Sequence, residues 1–316
     1  MEIIEKIRKL KEEKNAVILA HYYVADEVQE IADYVGDSFY LSKVAVNLTA
    51  QIIVFCGVSF MGESAKLLNP DKKVLMPDQA ADCAMAHMAD PEYISGIRQE
   101  YEDLQVVCYI NSTAQLKALS DVCVTSANAV DIVRELPGHH VLFIPDENLG
   151  RYVADQVPEK EFIFNPGCCP VHAQMKAEEV AKLKKQHPQA LVLTHPECRG
   201  DIISISDYIG STSGIIGYAA ESEADEFIIC TESGVGYELK KQAPGKKFYF
   251  PKTLPVCMDM KLITLEKIEK VLAEETGEVH VCAELSEAAC RPLRAMLELA
   301  EKARRKKEAG QSEGEQ

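Results

Sequence analysis

Residues able to bind a metal, hold an anion or move a proton recur along this chain at one spacing. His21, Tyr109 and His195 each follow a short apolar run and stand 88 and then 86 residues apart, and Ser38, Ser126 and Thr212 keep the same two steps. Cys83, Cys169 and Cys257 stand 86 and then 88 apart, each a few residues past a β-type run (KVLMP, FIFNP, KFYFP). Three thiolates at equivalent places in three like units suit a [4Fe–4S] cluster, whose ligands are normally cysteines; one iron would then lack a protein ligand and be open to substrate. On spacing alone the plainer reading stays open, since free cysteine is a common buried residue and the chain has no C-x-x-C pair. The three hydroxyls fall where strands run into helices, in Gly36-Asp37-Ser38, Thr125-Ser126-Ala127-Asn128 and Gly210-Ser211-Thr212-Ser213. Such turns offer unpaired N–H groups and the positive end of a helix dipole to a carboxylate or phosphate, and taken singly they are equally ordinary N-caps.

In the run THPEC, His195 and Glu197 lie two residues apart at a strand end, a donor beside a carboxylate. Glu197 is the best candidate base, and burial near a dry metal centre is expected to raise its pKa toward neutrality. The alternative is a surface ion pair. His21 with Tyr23, and Tyr109 with Asn111, give the other two units matching polar pairs. His172, three residues after Cys169, is a candidate neighbour of the metal; His87, His139, His140, His187 and His280 carry no pattern and read as surface or capping residues. The repeat offset favours Cys169 over Cys168 as ligand. Cys56, Cys108, Cys123, Cys230 and Cys282 lie in apolar strand-like runs and Cys290 on a helical face, so all six read as core, with Cys198 unassigned.

Elements must carry these residues to one place. Asp33, Asp121 and Asp207, and Gly62, Gly150 and Gly236, keep the same period, so the repeat belongs to the architecture and not to the site alone. In each unit of about 87 residues, four β-rich runs alternate with helical patterns; in the second they are VVCYIN, DVCVTS, HVLFIP and FIFNP. That alternation predicts right-handed βαβ units and a parallel sheet covered on both faces. The fold class is α/β: three pseudo-threefold-related α/β/α domains, each with a small four-stranded parallel sheet. The active site lies at the central axis, where the strands' carboxyl ends point. The domains run over 1–84 with 257–305, over 85–170 and over 171–256. Residues 264–305 are expected to be helical and to cover an edge of the first domain, and 306–316, polar and without apolar period, to be a disordered tail.

Composition narrows the function. The 316 residues carry 34 basic and 50 acidic side chains, a formal charge of −16 that repels nucleic acid and anionic lipid. Neither a nucleic-acid nor a membrane partner is expected. Apolar residues make up 47 % and charged residues 27 %, enough for a core over most of the length. The amino terminus, MEIIEKIRKLKEEKN, is amphipathic and not an export signal, so a cytoplasmic location is expected; there the eleven cysteines stay reduced rather than forming a disulfide framework.

The stretches HYYVADEVQEIADYVGDS, FCGVSFMGESAKLL, CYINSTAQLKALSDVCVTSANA, VLFIPDENLGRYVA, GCCPVHAQM, LTHPEC, YIGSTSG and CMDMKLITLEKI, in this order over about residues 17–300, resemble the quinolinate synthase family, the iron–sulfur enzymes of de novo NAD synthesis. The resemblance implies a three-domain, pseudo-threefold fold and the condensation of iminoaspartate with dihydroxyacetone phosphate to give quinolinate, phosphate and water. It also implies a [4Fe–4S] cluster on Cys83, Cys169 and Cys257, with its open iron acting as a Lewis acid. His21, Ser38, Tyr109, Asn111, Ser126, His195, Glu197 and Thr212 correspond to substrate contacts. Glu197, Tyr23, Tyr109 and His195 form the implied catalytic set, with Glu197 as acid/base and Tyr23 acting in the later isomerisation and closure. Because iminoaspartate hydrolyses, transient contact with an aspartate oxidase or dehydrogenase that supplies it is expected. Ser59 stands where the family usually has histidine, and Phe39-Tyr40 replace smaller residues after Ser38. The chain resembles the short type, without the C-terminal cysteine pair of longer members, so thiol regulation through that pair should be absent. Outside the resemblance, an iron–sulfur hydro-lyase acting on another small carboxylate and a non-catalytic metal sensor are the other readings.

Overall fold

The computed structural model describes residues 2–314. The first repeat supplies β1 (Ala16–His21), β2 (Tyr34–Gly36), β3 (Ile52–Cys56) and β4 (Lys73–Leu75); the second supplies β5 (Gln105–Tyr109), β6 (Val122–Val124), β7 (His140–Ile144) and β8 (Glu161–Phe164). The third supplies β9 (Leu191–Thr194), β10 (Tyr208–Ile209), β11 (Glu226–Cys230) and β12 (Lys247–Tyr249). They form three four-stranded sheets of one topology, β2-β1-β3-β4, β6-β5-β7-β8 and β10-β9-β11-β12, every pairing parallel. The expected α/β architecture of three small parallel sheets is therefore present. Central strands such as IIVFC are buried along their whole length, as a sheet covered by helices on both faces requires.

The repeated aspartates belong to the scaffold. Asp33, Asp121 and Asp207 accept the backbone N–H of Ile18, Val106 and Val192 at 2.8, 2.7 and 2.8 Å, and their own N–H groups return to the same residues' carbonyls. Each clamps the start of a central strand to the segment leading into its neighbour. Asp207→Ala leaves the buried Val192 N–H without its acceptor and should cost about 1–2 kcal/mol. The expected result is a lower denaturant midpoint with turnover per folded molecule retained, and an unchanged midpoint would contradict the clamp.

The cores are unequal. One continuous hydrophobic cluster joins the first two units and the C-terminal helices, while the third unit has separate clusters on the two faces of its sheet. Helix Leu265–Glu274 packs on helix Glu2–Glu13 and β3. Helix Ala283–Gly314 departs from expectation. It lies mainly on helix Ala114–Ala118, β6 and helix Ala129–Glu135 of the second unit, touching the first through helix Ser59–Leu68. It also runs through much of the segment read as a disordered tail. Lys306 pairs with Glu135 at 2.5 Å and Lys307 with Asp131 at 2.7 Å, partners about 170 residues away that no local apolar period reveals. Residues 315–316 of that segment lie outside the described residues. Among the cysteines, Cys56, Cys108, Cys123, Cys230 and Cys290 are buried as expected, but Cys282 is exposed, because it stands just before helix Ala283–Gly314 rather than in a strand.

Candidate active site

The sheets aim the repeated residues at one cavity. His21 and Tyr109 are the last residues of β1 and β5, and His195 follows the last residue of β9. Ser38 and Thr212 open helices Ser38–Asn47 and Thr212–Glu221, and Ser126 lies in the turn before helix Ala129–Glu135. Cys83, Cys169 and Cys257 lie past β4, β8 and β12. All nine line this cavity, together with Tyr23, Asn111 and Glu197, so the structure brings together every residue singled out for the site. Cys168 is outside the lining, its N–H directed to Met88 Sδ at 3.5 Å.

The thiols fit a metal centre. Each precedes a short helical turn, Ala84–His87, Pro170–Ala173 and Met260–Leu262. Burial pushes the free thiols up, Cys83 to about 12, Cys257 to about 11 and Cys169 well above its ordinary value. Against burial act the backbone N–H groups of Met85 and Ala86 on Cys83, of His172 on Cys169, and of Asp259 and Met260 on Cys257. N–H groups directed at cysteine sulfur are a protein's means of tuning an iron–sulfur centre, and a bound cation would draw off the thiol protons. Ligand atoms of Cys169, His172 and Glu197 also lie within 4.8 Å of one another. These features fit an iron–sulfur enzyme.

The imidazoles are arranged alike in two units. His21 Nδ1 accepts the Tyr23 N–H at 3.2 Å and His195 Nδ1 the Glu197 N–H at 3.3 Å, so in both rings Nε2 carries the proton. His195 Nε2 donates to Ser126 Oγ at 3.2 Å. Burial lowers both rings to about 3, leaving them neutral donors near pH 7. Glu197 corrects the expectation of a raised carboxyl. Burial does push it up, but the imidazoles of His172 and His195 and the Tyr109 hydroxyl outweigh burial and hold it at about 2. Of these partners His172 is the nearer imidazole, its Nδ1 2.8 Å from Glu197 Oε2 against 3.4 Å for His195 Nδ1. Glu197 Oε1 and Asn111 Oδ1 are buried with no hydrogen-bond partner among the described residues, so the cavity presents two acceptors to a ligand.

Sequence reasoning undervalued His172 and missed Thr231. His172 is buried, its Nδ1 is 3.2 Å from Cys169 Sγ, and its Nε2 is 3.0 Å from Thr231 Oγ1. Thr231 Oγ1 is 2.9 Å from the Tyr23 hydroxyl, itself 2.9 Å from Thr212 Oγ1. Hydrogen bonds thus join Thr212, Tyr23, Thr231 and His172, whose Nδ1 lies 2.8 Å from Glu197 Oε2. Neither His172 nor Thr231 belongs to a repeated set, so the period gave no signal for them. Gly234 lets the third unit come this close: a Cβ there would sit 2.8 Å from the Tyr22 carbonyl oxygen and 2.9 Å from Tyr23 Cα.

Comparison with known proteins gives the family. The family model described as quinolinate synthetase A protein matches residues 5–298. A quinolinate synthase of Fusobacterium nucleatum is 52 % identical over 296 residues, covering 94 % of this chain and 99 % of its own. Quinolinate synthases of Caldicellulosiruptor saccharolyticus and Clostridioides difficile are each 50 % identical, over 300 and 296 residues, covering 94 % of this chain and 99 % and 97 % of theirs. No helix among the described residues is long and apolar enough to cross a membrane. With a cysteine-bearing polar cavity at the meeting of three like sheets and this likeness over nearly its whole length, the chain belongs to the quinolinate synthetase A family, enzymes of NAD biosynthesis.

Proposed function

We propose that the chain condenses iminoaspartate with dihydroxyacetone phosphate, forming quinolinate and releasing phosphate and water. The observation that supports this most is the convergence of three thiols, two neutral imidazoles, three hydroxyls and an ionised carboxylate on one cavity. Cys83, Cys169 and Cys257 would hold a [4Fe–4S] cluster with one iron free of protein ligands, which when bound supplies Lewis acidity for loss of hydroxide. The remaining steps fall to the chain. The Nε2–H groups of His21 and His195 donate to substrate carboxylates without bringing a full charge. Ser38 and Thr212, at helix N-termini, and Ser126, in the turn before a helix, hold anionic oxygens where backbone N–H groups also point. Glu197, ionised, takes a proton from substrate carbon or nitrogen. A carboxylate held near 2 is a weak base, and His172 offers the proton a way onward through Thr231 to the Tyr23 hydroxyl. Tyr23 then gives or takes that proton during isomerisation and ring closure, against Thr212.

On this reading the protein works in the cytoplasm, where thiols stay reduced, close to an aspartate oxidase or dehydrogenase that makes its short-lived substrate. An anaerobic assay of the metal-loaded protein with both substrates should yield quinolinate stoichiometric with phosphate. Protein that retains iron and sulfide but forms no quinolinate from this pair would overturn the reading.

A further inference from the structure

Each of the three cavity cysteines has its own backbone N–H held by a carboxylate. Asp82 Oδ1 accepts the Cys83 N–H at 2.8 Å, Asp146 Oδ2 the Cys169 N–H at 3.0 Å, and Glu232 Oε1 the Cys257 N–H at 3.1 Å. Two of these carboxylates are wholly buried, and their remaining oxygens are spent on neighbouring backbone: Asp146 Oδ1 on Leu149 N–H at 2.7 Å, and Glu232 Oε2 on Gly234 N–H at 2.6 Å. Asp146 and Glu232 stand 86 residues apart, the step of the repeat. Their first-unit counterpart, 88 residues before Asp146, is Val58, which has no acceptor to offer. Asp82 does the work there from the cysteine's own loop, braced by the hydroxyl of Ser59, the residue after Val58, and by His87 Nε2 at 2.7 Å. The same hydrogen bond thus occurs in all three units, although the repeat supplies its acceptor in only two.

We propose that Asp82, Asp146 and Glu232 are positioning residues that fix the three cysteine backbones, and so the directions of their Sγ atoms, before the iron–sulfur centre is bound. Burying two carboxylates is costly unless their oxygens are satisfied, and here the N–H groups that satisfy them include those of the cysteines. A cysteine pinned at its N–H has less freedom to lose on binding metal and stays near its place if a metal bond breaks. Glu232 extends this order into the cavity. Its Oε1 lies 3.3 Å from Lys261 Nζ, which donates to the Tyr23 carbonyl oxygen at 2.6 Å.

The inference rests on Cys83, Cys169 and Cys257 holding the centre, and the test separates the two. Holoprotein is prepared without oxygen as wild type, Asp146→Ala, Glu232→Ala, Asp146→Asn, Glu232→Gln and, as control, Glu238→Gln, a buried carboxylate that touches no cysteine. Iron and sulfide per chain and the rate of bleaching by a chelator are read alongside the circular dichroism of each variant. The alanine variants should bleach about 10–100-fold faster than wild type, with Asn and Gln, which keep one acceptor oxygen, in between and Glu238→Gln unchanged. Folded alanine variants that bleach at the wild-type rate would overturn the proposal, as would an equal acceleration in Glu238→Gln. Should an alanine variant not fold, the bleaching rates of the Asn and Gln variants decide in the same way. Wild type that takes up no iron and sulfide condemns the ligand assignment itself.

Discussion

Cys257→Ala, purified without oxygen, should be colourless, lack stoichiometric iron and sulfide, and form no quinolinate above assay background, while keeping the wild-type circular dichroism spectrum. The substitution removes a partly buried thiol at the edge of the shared core, outside any strand or helix, so the loss should be confined to the metal centre. The sharper comparison lies within the adjacent pair. Cys169 lines the cavity, has the His172 ring 3.2 Å from its sulfur, and has its N–H on Asp146. Cys168 is not part of that lining. Cys169→Ala should therefore match Cys257→Ala, and Cys168→Ala should keep both colour and turnover. Brown, active Cys169→Ala protein, or colourless Cys168→Ala protein, would reverse the assignment.

Glu197→Gln should retain its iron and sulfide and lose about 10²–10⁴-fold in turnover. The amide has nearly the carboxylate's shape, and its oxygen can still accept from His172 Nδ1, 2.8 Å away in the wild type. What it cannot do is take a proton. Because Glu197 Oε1 makes no hydrogen bond among the described residues, the change costs no internal contact on that side, and a large fall in turnover without loss of fold or metal assigns the defect to proton transfer. Near-wild-type turnover would remove Glu197 from the mechanism.

The sequence could reveal the scaffold because the scaffold repeats. Asp33, Asp121 and Asp207 perform one hydrogen-bonding task three times, so their period announces three copies of one strand arrangement. The residues facing the axis share that period, and all of those singled out reach the cavity. Hidden from the sequence was whatever happens once. His172 and Thr231 have no counterparts at the repeat offsets, and their importance comes from contacts across 25 to 208 residues of chain. The same partner reversed the expected shift of Glu197: burial was foreseeable from the strand-end position, but the imidazole that overrides it was not. Helix Ala283–Gly314 illustrates the limit in another way. Amphipathic periodicity predicts a helix, yet nothing local says which unit it will cover, and Lys306 and Lys307, beyond the buried Ala303, pair with Glu135 and Asp131.

The third unit is joined to the first around the cavity both by Tyr22, which is buried in a hydrophobic cluster of the third unit, and by polar stitches. Gln29 Nε2 reaches the Gly234 carbonyl oxygen at 3.1 Å, Lys261 holds the Tyr23 carbonyl, and the Tyr23 hydroxyl bridges Thr212 and Thr231. The bonds that seat the tyrosine therefore also tie the third unit to the first, so a change at either end of the seam is felt at the Tyr23 hydroxyl.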